Sequence, residues 1–166
     1  SVAKDNIVGR GRLLRLPLAG FGPRGRPFLD ESPQPFGCLR SAARAGIAHA
    51  CIWAAFHSDY QVANEAVAAI VRHNPQRYTG LVFVHAARDR GRIGAMVERA
   101  VRVHVFRGIK CHRADARITR EVCEAAARFR IPILYDVLGE VESVTLFAPQ
   151  FPQVNFVVPH MGSYAD

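Results

Sequence analysis

Five apolar runs, each closing on an ionisable residue, recur along the second two-thirds of this chain and restrict what it can fold into. They are His49–Phe56 before His57, Leu81–Val84 before His85, Gly108–Cys111 before His112, Pro132–Tyr135 before Asp136, and Val154–Pro159 before His160. Runs that are largely apolar, with no regular polar alternation, suit strands of a parallel sheet covered on both faces. Between them lie stretches with apolar residues at helical spacing: Val62, Ala66, Ala69 and Ile70 within Tyr60–His73, then Ile93–Val103, Thr119–Phe129 and Val141–Phe151. An earlier set, Phe36, Leu39, Ala43 and Ile47, predicts a first helix closed near Gly46. A strand-to-strand interval of roughly 25 to 30 residues is that of a βαβ unit, whose crossover is right-handed.

The fold class is therefore α/β. Two architectures use such a pattern: a (β/α)₈ barrel of the TIM type, here incomplete with about five of eight units, and an open doubly wound parallel sheet. The length of 166 residues favours the open sheet. The barrel is favoured by the strand ends, because His57, His85, His112, Asp136 and His160 would then converge on one mouth. Residues 1–35, rich in Arg, Gly and Pro, read as an irregular segment, and residues 36–166 as the βα domain.

Imidazoles and a carboxylate gathered at one point form the donor set that holds Zn²⁺ or a similar divalent ion and acidifies a bound water. Taken singly, His57 and His85 read as capping or surface residues, and His49, His73 and His104 as solvated ones. Lys110 differs, since an amine near a strand end in a barrel mouth is partly desolvated. It would stabilise an anionic intermediate, become carboxylated and bridge metals, or pair with Asp136.

The charge of +8 permits an anionic partner, but 20 of the 22 basic residues are arginines spread along the chain. Without the aromatic interleaving of nucleic-acid binders, a nucleic-acid partner is not expected. No apolar run has the ~20 residues of a membrane span, so a cytoplasmic protein without membrane contact is expected. Cys38, Cys51, Cys111 and Cys123 form no CxxC pair and read as reduced packing residues.

Three segments together resemble the middle of the amidohydrolase-2 family: Phe106-Arg107-Gly108-Ile109-Lys110-Cys111-His112, Ile131-Pro132-Ile133-Leu134-Tyr135-Asp136, and Phe151 through Pro159-His160-Met161-Gly162. The resemblance implies a metal-dependent hydrolase or decarboxylase on a (β/α)₈ barrel, acting on a small-molecule substrate through a metal-bound water, with zinc the expected metal. It makes His160 the sixth-strand histidine, a metal ligand or the activator of the metal-bound water. Lys110 falls in the catalytic position at the fourth-strand end with His112 near the substrate, and His85 is a second substrate-binding candidate. Asp136 stands where many members have a metal-binding histidine. The family's first-strand Asp-x-His-x-His has no counterpart in residues 1–35, nor is its eighth-strand aspartate present before Asp166. Five units alone would leave sheet edges open, so the chain is expected either to be a catalytically incomplete module or to associate as a homo-oligomer.

Overall fold

The computed structural model describes residues 6–8, 11–15, 44–54 and 56–162, which fall in two compact units divided after Gly80. In the N-terminal unit, β1 (Asn6–Val8) pairs antiparallel with β2 (Gly11–Arg15). Strand β2 pairs parallel with β3 (Ala50–Trp53), and β3 parallel with β4 (Tyr78–Gly80). Residues 1–35 are thus not wholly irregular: the short Leu13-Leu14-Arg15 piece belongs to β2, a strand too brief for periodicity to mark. The helix expected from Phe36 to Ile47 lies largely outside the described residues, as does Cys38.

Helix α1 (Tyr60–His73) starts at Asp59, whose Oδ1 accepts the Gln61 and Val62 amides at 2.8 and 3.3 Å. It buries Tyr60, Ala63, Val67, Ala68 and Val71, while Val62 and Ala69 are exposed. The expected face was therefore the wrong one. This alanine-rich helix carries two apolar stripes, and the one with Tyr60 and Val67 buries the larger side chains.

The C-terminal unit is a sheet of β5 (Val82–Phe83), β6 (Ile109–His112), β7 (Ile133–Asp136) and β8 (Phe156–Val157), paired in that order and all parallel. Every residue of β6 and β7 is buried, as strands covered on both faces require. Where one strand was expected near residue 81, there are two, β4 and β5, one in each unit. Helices α2 (Ile93–Arg102) and α3 (Arg120–Phe129) pack together and connect the first three of these strands. Glu121 of α3 accepts the Gly91 and Ile93 amides at 2.9 and 3.1 Å, so one helix caps the start of the other.

Helix α4 (Glu142–Phe147) stops four residues short of its expected end and tightens into a 3₁₀ turn at Ala148–Gln150. Pro149 is the reason: it has no amide to donate to the α-helical ladder. His104, expected in solvent, is buried with its ring 5.8 Å from that of Phe106, because Val103 and Val105 turn outward in its place. His49 and His73 are exposed as expected, and Cys111 and Cys123 are buried free thiols. Among the described residues no helix is long and apolar enough to cross a membrane.

Gly108, just before β6, sits where a Cβ would lie 2.8 Å from Leu81 Cδ2 and 3.3 Å from the Pro132 carbonyl oxygen. The leucine tip can turn aside, but the carbonyl is fixed by the Ile109 amide it accepts at 2.9 Å. Gly108→Ala is expected to cost about 1 to 2 kcal/mol. A urea-unfolding midpoint equal to wild type would contradict this packing.

Candidate functional site

Strand register brings the chemistry of the C-terminal unit to one level. His112 of β6 lies opposite Asp136 of β7, and Lys110 lies two residues earlier on the same face of β6. Extending the β5–β6 register from Phe83↔Lys110 sets His85 level with His112. Extending β7–β8 from Leu134↔Val157 sets Asp136 level with Pro159, directly before His160.

Asp136 is the centre of the cluster. Its carboxylate is buried, and its Oδ2 is shared by two imidazoles: His112 Nε2 at 3.3 Å and His160 Nε2 at 3.4 Å. The tautomer of His112 follows from its other nitrogen. Nδ1 accepts the Ala114 amide at 3.0 Å, and since a backbone N–H only donates, the proton of the neutral ring sits on Nε2 and points at the carboxylate. Burial would raise the Asp136 pKa, but the His112 hydrogen bond and the charges of Lys110, His112 and His160 outweigh it and hold the carboxyl below its usual range. Lys110 is almost fully enclosed at 2% exposure, on the side of the cluster toward the sheet interior.

His160 reaches Asp136 through an unusual backbone. His160, Met161 and Gly162 are three successive left-handed residues, with φ of 56°, 52° and 79°. The two that are not glycine each cost about 1 to 2 kcal/mol there. The turn is held by the Gly139 amide, which donates to the Gly162 carbonyl at 3.0 Å. Such strain persists where the surroundings over-determine it, which is common at functional sites.

His85 closes a turn of its own. Its amide donates to Asp89 Oδ2 at 2.9 Å, and its Nδ1 accepts the Arg88 amide at 3.1 Å, so its neutral ring also carries the proton on Nε2. Register alone places it beside His112. His57 belongs to the N-terminal unit, where its Nδ1 lies 2.9 Å from the Asp59 amide nitrogen.

The residues that sequence reasoning missed surround Glu140. Its carboxylate accepts the Tyr135 hydroxyl at 2.9 Å, the Ser143 amide at 2.8 Å and the Ser143 hydroxyl at 3.0 Å, with Arg113 and Arg117 Nε each 3.9 Å away. A glycine three residues past a strand-end Asp, followed by Glu, was the one available hint of an ordered loop.

The donors fit part of a metal site. Asp136 Oδ1 is buried without a hydrogen-bond partner, the kind of lone pair a cation would satisfy, and imidazole nitrogens stand at its other oxygen. Of these, His160 is the better second donor, because the Nε2 of neutral His112 is protonated. Among the described residues no three His, Cys, Asp or Glu side chains are arranged to hold a metal, so the described part of this unit supplies donors and not a full coordination sphere.

No family profile and no curated protein sequence matches the chain. Solved structures do match. One described as amidohydrolase II has a TM-score of 0.60 at 13% identity over 86% of this chain and 60% of its own. The 5-carboxyvanillate decarboxylase of Sphingomonas paucimobilis has 0.56 at 16% over 80% and 56%. A dihydroxybenzoic acid decarboxylase from Polaromonas sp. JS666, solved with bound manganese and the inhibitor 2-nitroresorcinol, has 0.57 at 14% over 78% and 55%. The chain thus spans little more than half the length of the structures it matches, and its fold is similar to part of the (β/α)₈ barrel of those structures.

Proposed function

We propose that this chain belongs to a divalent-metal-assisted enzyme of the amidohydrolase type, hydrolysing a small amide, ester or lactone or decarboxylating an aromatic acid. The observation that carries the reading is the meeting of His112 and His160 on one buried carboxylate at the C-terminal ends of adjacent parallel strands, where catalytic groups of barrel enzymes collect. Asp136, through its unpartnered Oδ1, and His160 would hold the ion together with donors from outside the described residues. A divalent ion so held polarises a carbonyl or carboxylate oxygen and acidifies bound water. Zinc and manganese both suit a mixed carboxylate and imidazole set.

The chain's own residues then have separable tasks. Asp136 orients His112 by accepting its Nε2–H, and its Oδ2 lies 3.4 Å from His160 Nε2. His112, with its proton fixed on Nε2, donates toward an oxygen entering beside Asp136, and His85 does the same one strand away. Lys110 supplies positive charge from below, where an anionic substrate or intermediate gains most from a low-dielectric setting.

Titration calorimetry of the full chain after chelator treatment tests the reading, with Zn²⁺ and Mn²⁺ as probes. Binding of at least one ion is expected, weakened about 10- to 100-fold or more in His160→Ala and in Asp136→Asn. If neither ion binds, or if both variants bind as wild type, the proposal falls. Activity is to be sought on hydroxylated aromatic acids and on small lactones, esters and amides.

A further inference from the structure

We propose that Glu140 is a positioning residue for His160, acting through the loop that joins β7 to α4. The inference builds on the site described above and adds a residue that touches none of its donors. Asp136 ends β7, and the chain then turns back through Leu138 and Gly139, both left-handed with φ of 46° and 80°. The Glu140 amide returns to the Val137 carbonyl at 2.9 Å, and the Gly139 amide donates to Gly162 at 3.0 Å. A Cβ on Gly162 would touch Val141 Cγ1 at 3.6 Å and Val137 Cγ2 at 4.0 Å, so the turn that carries His160 rests on the residues flanking Glu140.

Glu140 fixes this platform at both ends. Toward the strand it accepts from Tyr135, which is fully buried and adjacent to Asp136 in sequence. Toward the helix it accepts from both the amide and the hydroxyl of Ser143. Arg113 and Arg117 add positive charge at 3.9 Å, and the Arg113 amide donates to the Asp136 carbonyl at 2.8 Å, so the same group of residues also clasps the end of β7. The backbone of Asp136 and the turn of His160 are therefore tied to one carboxylate. A carboxylate needed only to cap α4 would have no use for a strand tyrosine. Its bond to Tyr135 makes the distance between β7 and the His160 turn depend on Glu140.

The test is nuclear magnetic resonance of the full chain, reading the His160 ring nitrogens, assigned with His160→Gln, together with exchange of the Gly139 amide. In Glu140→Ala the Gly139 amide is expected to exchange about tenfold faster or more, and the His160 ring signals to shift or broaden. Glu140→Gln keeps an acceptor for Ser143 and is expected to restore much of both. The inference is overturned if Gly139 exchange rises in Glu140→Ala while the His160 ring signals stay at their wild-type positions, which is the behaviour of a loop staple. Should Glu140→Ala fail to fold, Tyr135→Phe removes one bond to Glu140 at nearly constant core volume, and unmoved His160 signals there overturn the inference equally. These readouts need neither metal nor substrate, so they stand or fall apart from the metal-binding test of the site itself.

Discussion

Replacing Asp136 by alanine is expected to destabilise the protein by about 3 kcal/mol at neutral pH, more than any other single change in the site. Its carboxylate accepts from His112, lies 3.4 Å from His160 Nε2 and is favoured by the charge of the enclosed Lys110. Removing it takes a favourable charge from the buried ammonium and leaves the His112 Nε2–H facing a void. Asp136→Asn keeps an oxygen and the volume, and should cost about half as much, since hydrogen bonding survives while the charge is lost. The pH dependence has a definite sign. The folded pKa of Asp136 lies below its reference of 3.8, so the stabilisation is fully present above that value and disappears as pH falls through the lower folded pKa. Urea unfolding with a chelator present should therefore show a wide gap between wild type and Asp136→Ala at pH 7, narrowing as pH falls below 3.8 and through the lower folded pKa. A variant that unfolds within about 1 kcal/mol of wild type at pH 7 would mean that Lys110 is balanced by other groups.

What was readable beforehand divides along physical lines. The parallel sheet of the C-terminal unit was legible because strands buried on both faces spell mostly apolar runs, as Ile133-Leu134-Tyr135 of β7 does, although β6 carries Lys110 between Ile109 and Cys111. Asp136 and His160 stood out because a polar residue closing such a run has few reasons to be there. The Glu140 network was not legible. Tyr135 inside an apolar strand looks like core, Glu140 after Gly139 looks like a solvated loop, and their meeting depends on a chain reversal made by Leu138 and Gly139. The left-handed path of His160 and Met161 was equally hidden, since only Gly162 favours that geometry by itself. The buried face of α1 was misread because alanines on both sides of a helix dilute the periodic signal. The extra strand at Tyr78–Gly80 was missed because a three-residue strand has no period to detect.

Lys110→Met is expected to separate chemistry from stability. Methionine matches the length of the lysine stem and fills the same space, and it removes the desolvation cost of a charge that is 2% exposed. Asp136 loses one favourable neighbour but keeps both imidazoles, so stability should change by no more than about 1 kcal/mol in either direction. Turnover is another matter. If Lys110 stabilises negative charge on substrate or intermediate from inside the sheet end, losing it should lower kcat by about 100- to 1000-fold on whichever of the proposed substrate classes the protein accepts. Lys110→Arg should not restore the rate, because a planar guanidinium is larger than an ammonium and the strand position is closed around it. Measuring kcat and the urea midpoint on the same preparations distinguishes the outcomes. A Lys110→Met protein that turns over within about threefold of wild type would show that the amine only balances Asp136, leaving the imidazoles to carry the proton transfers, whose usual worth is about 100-fold or more.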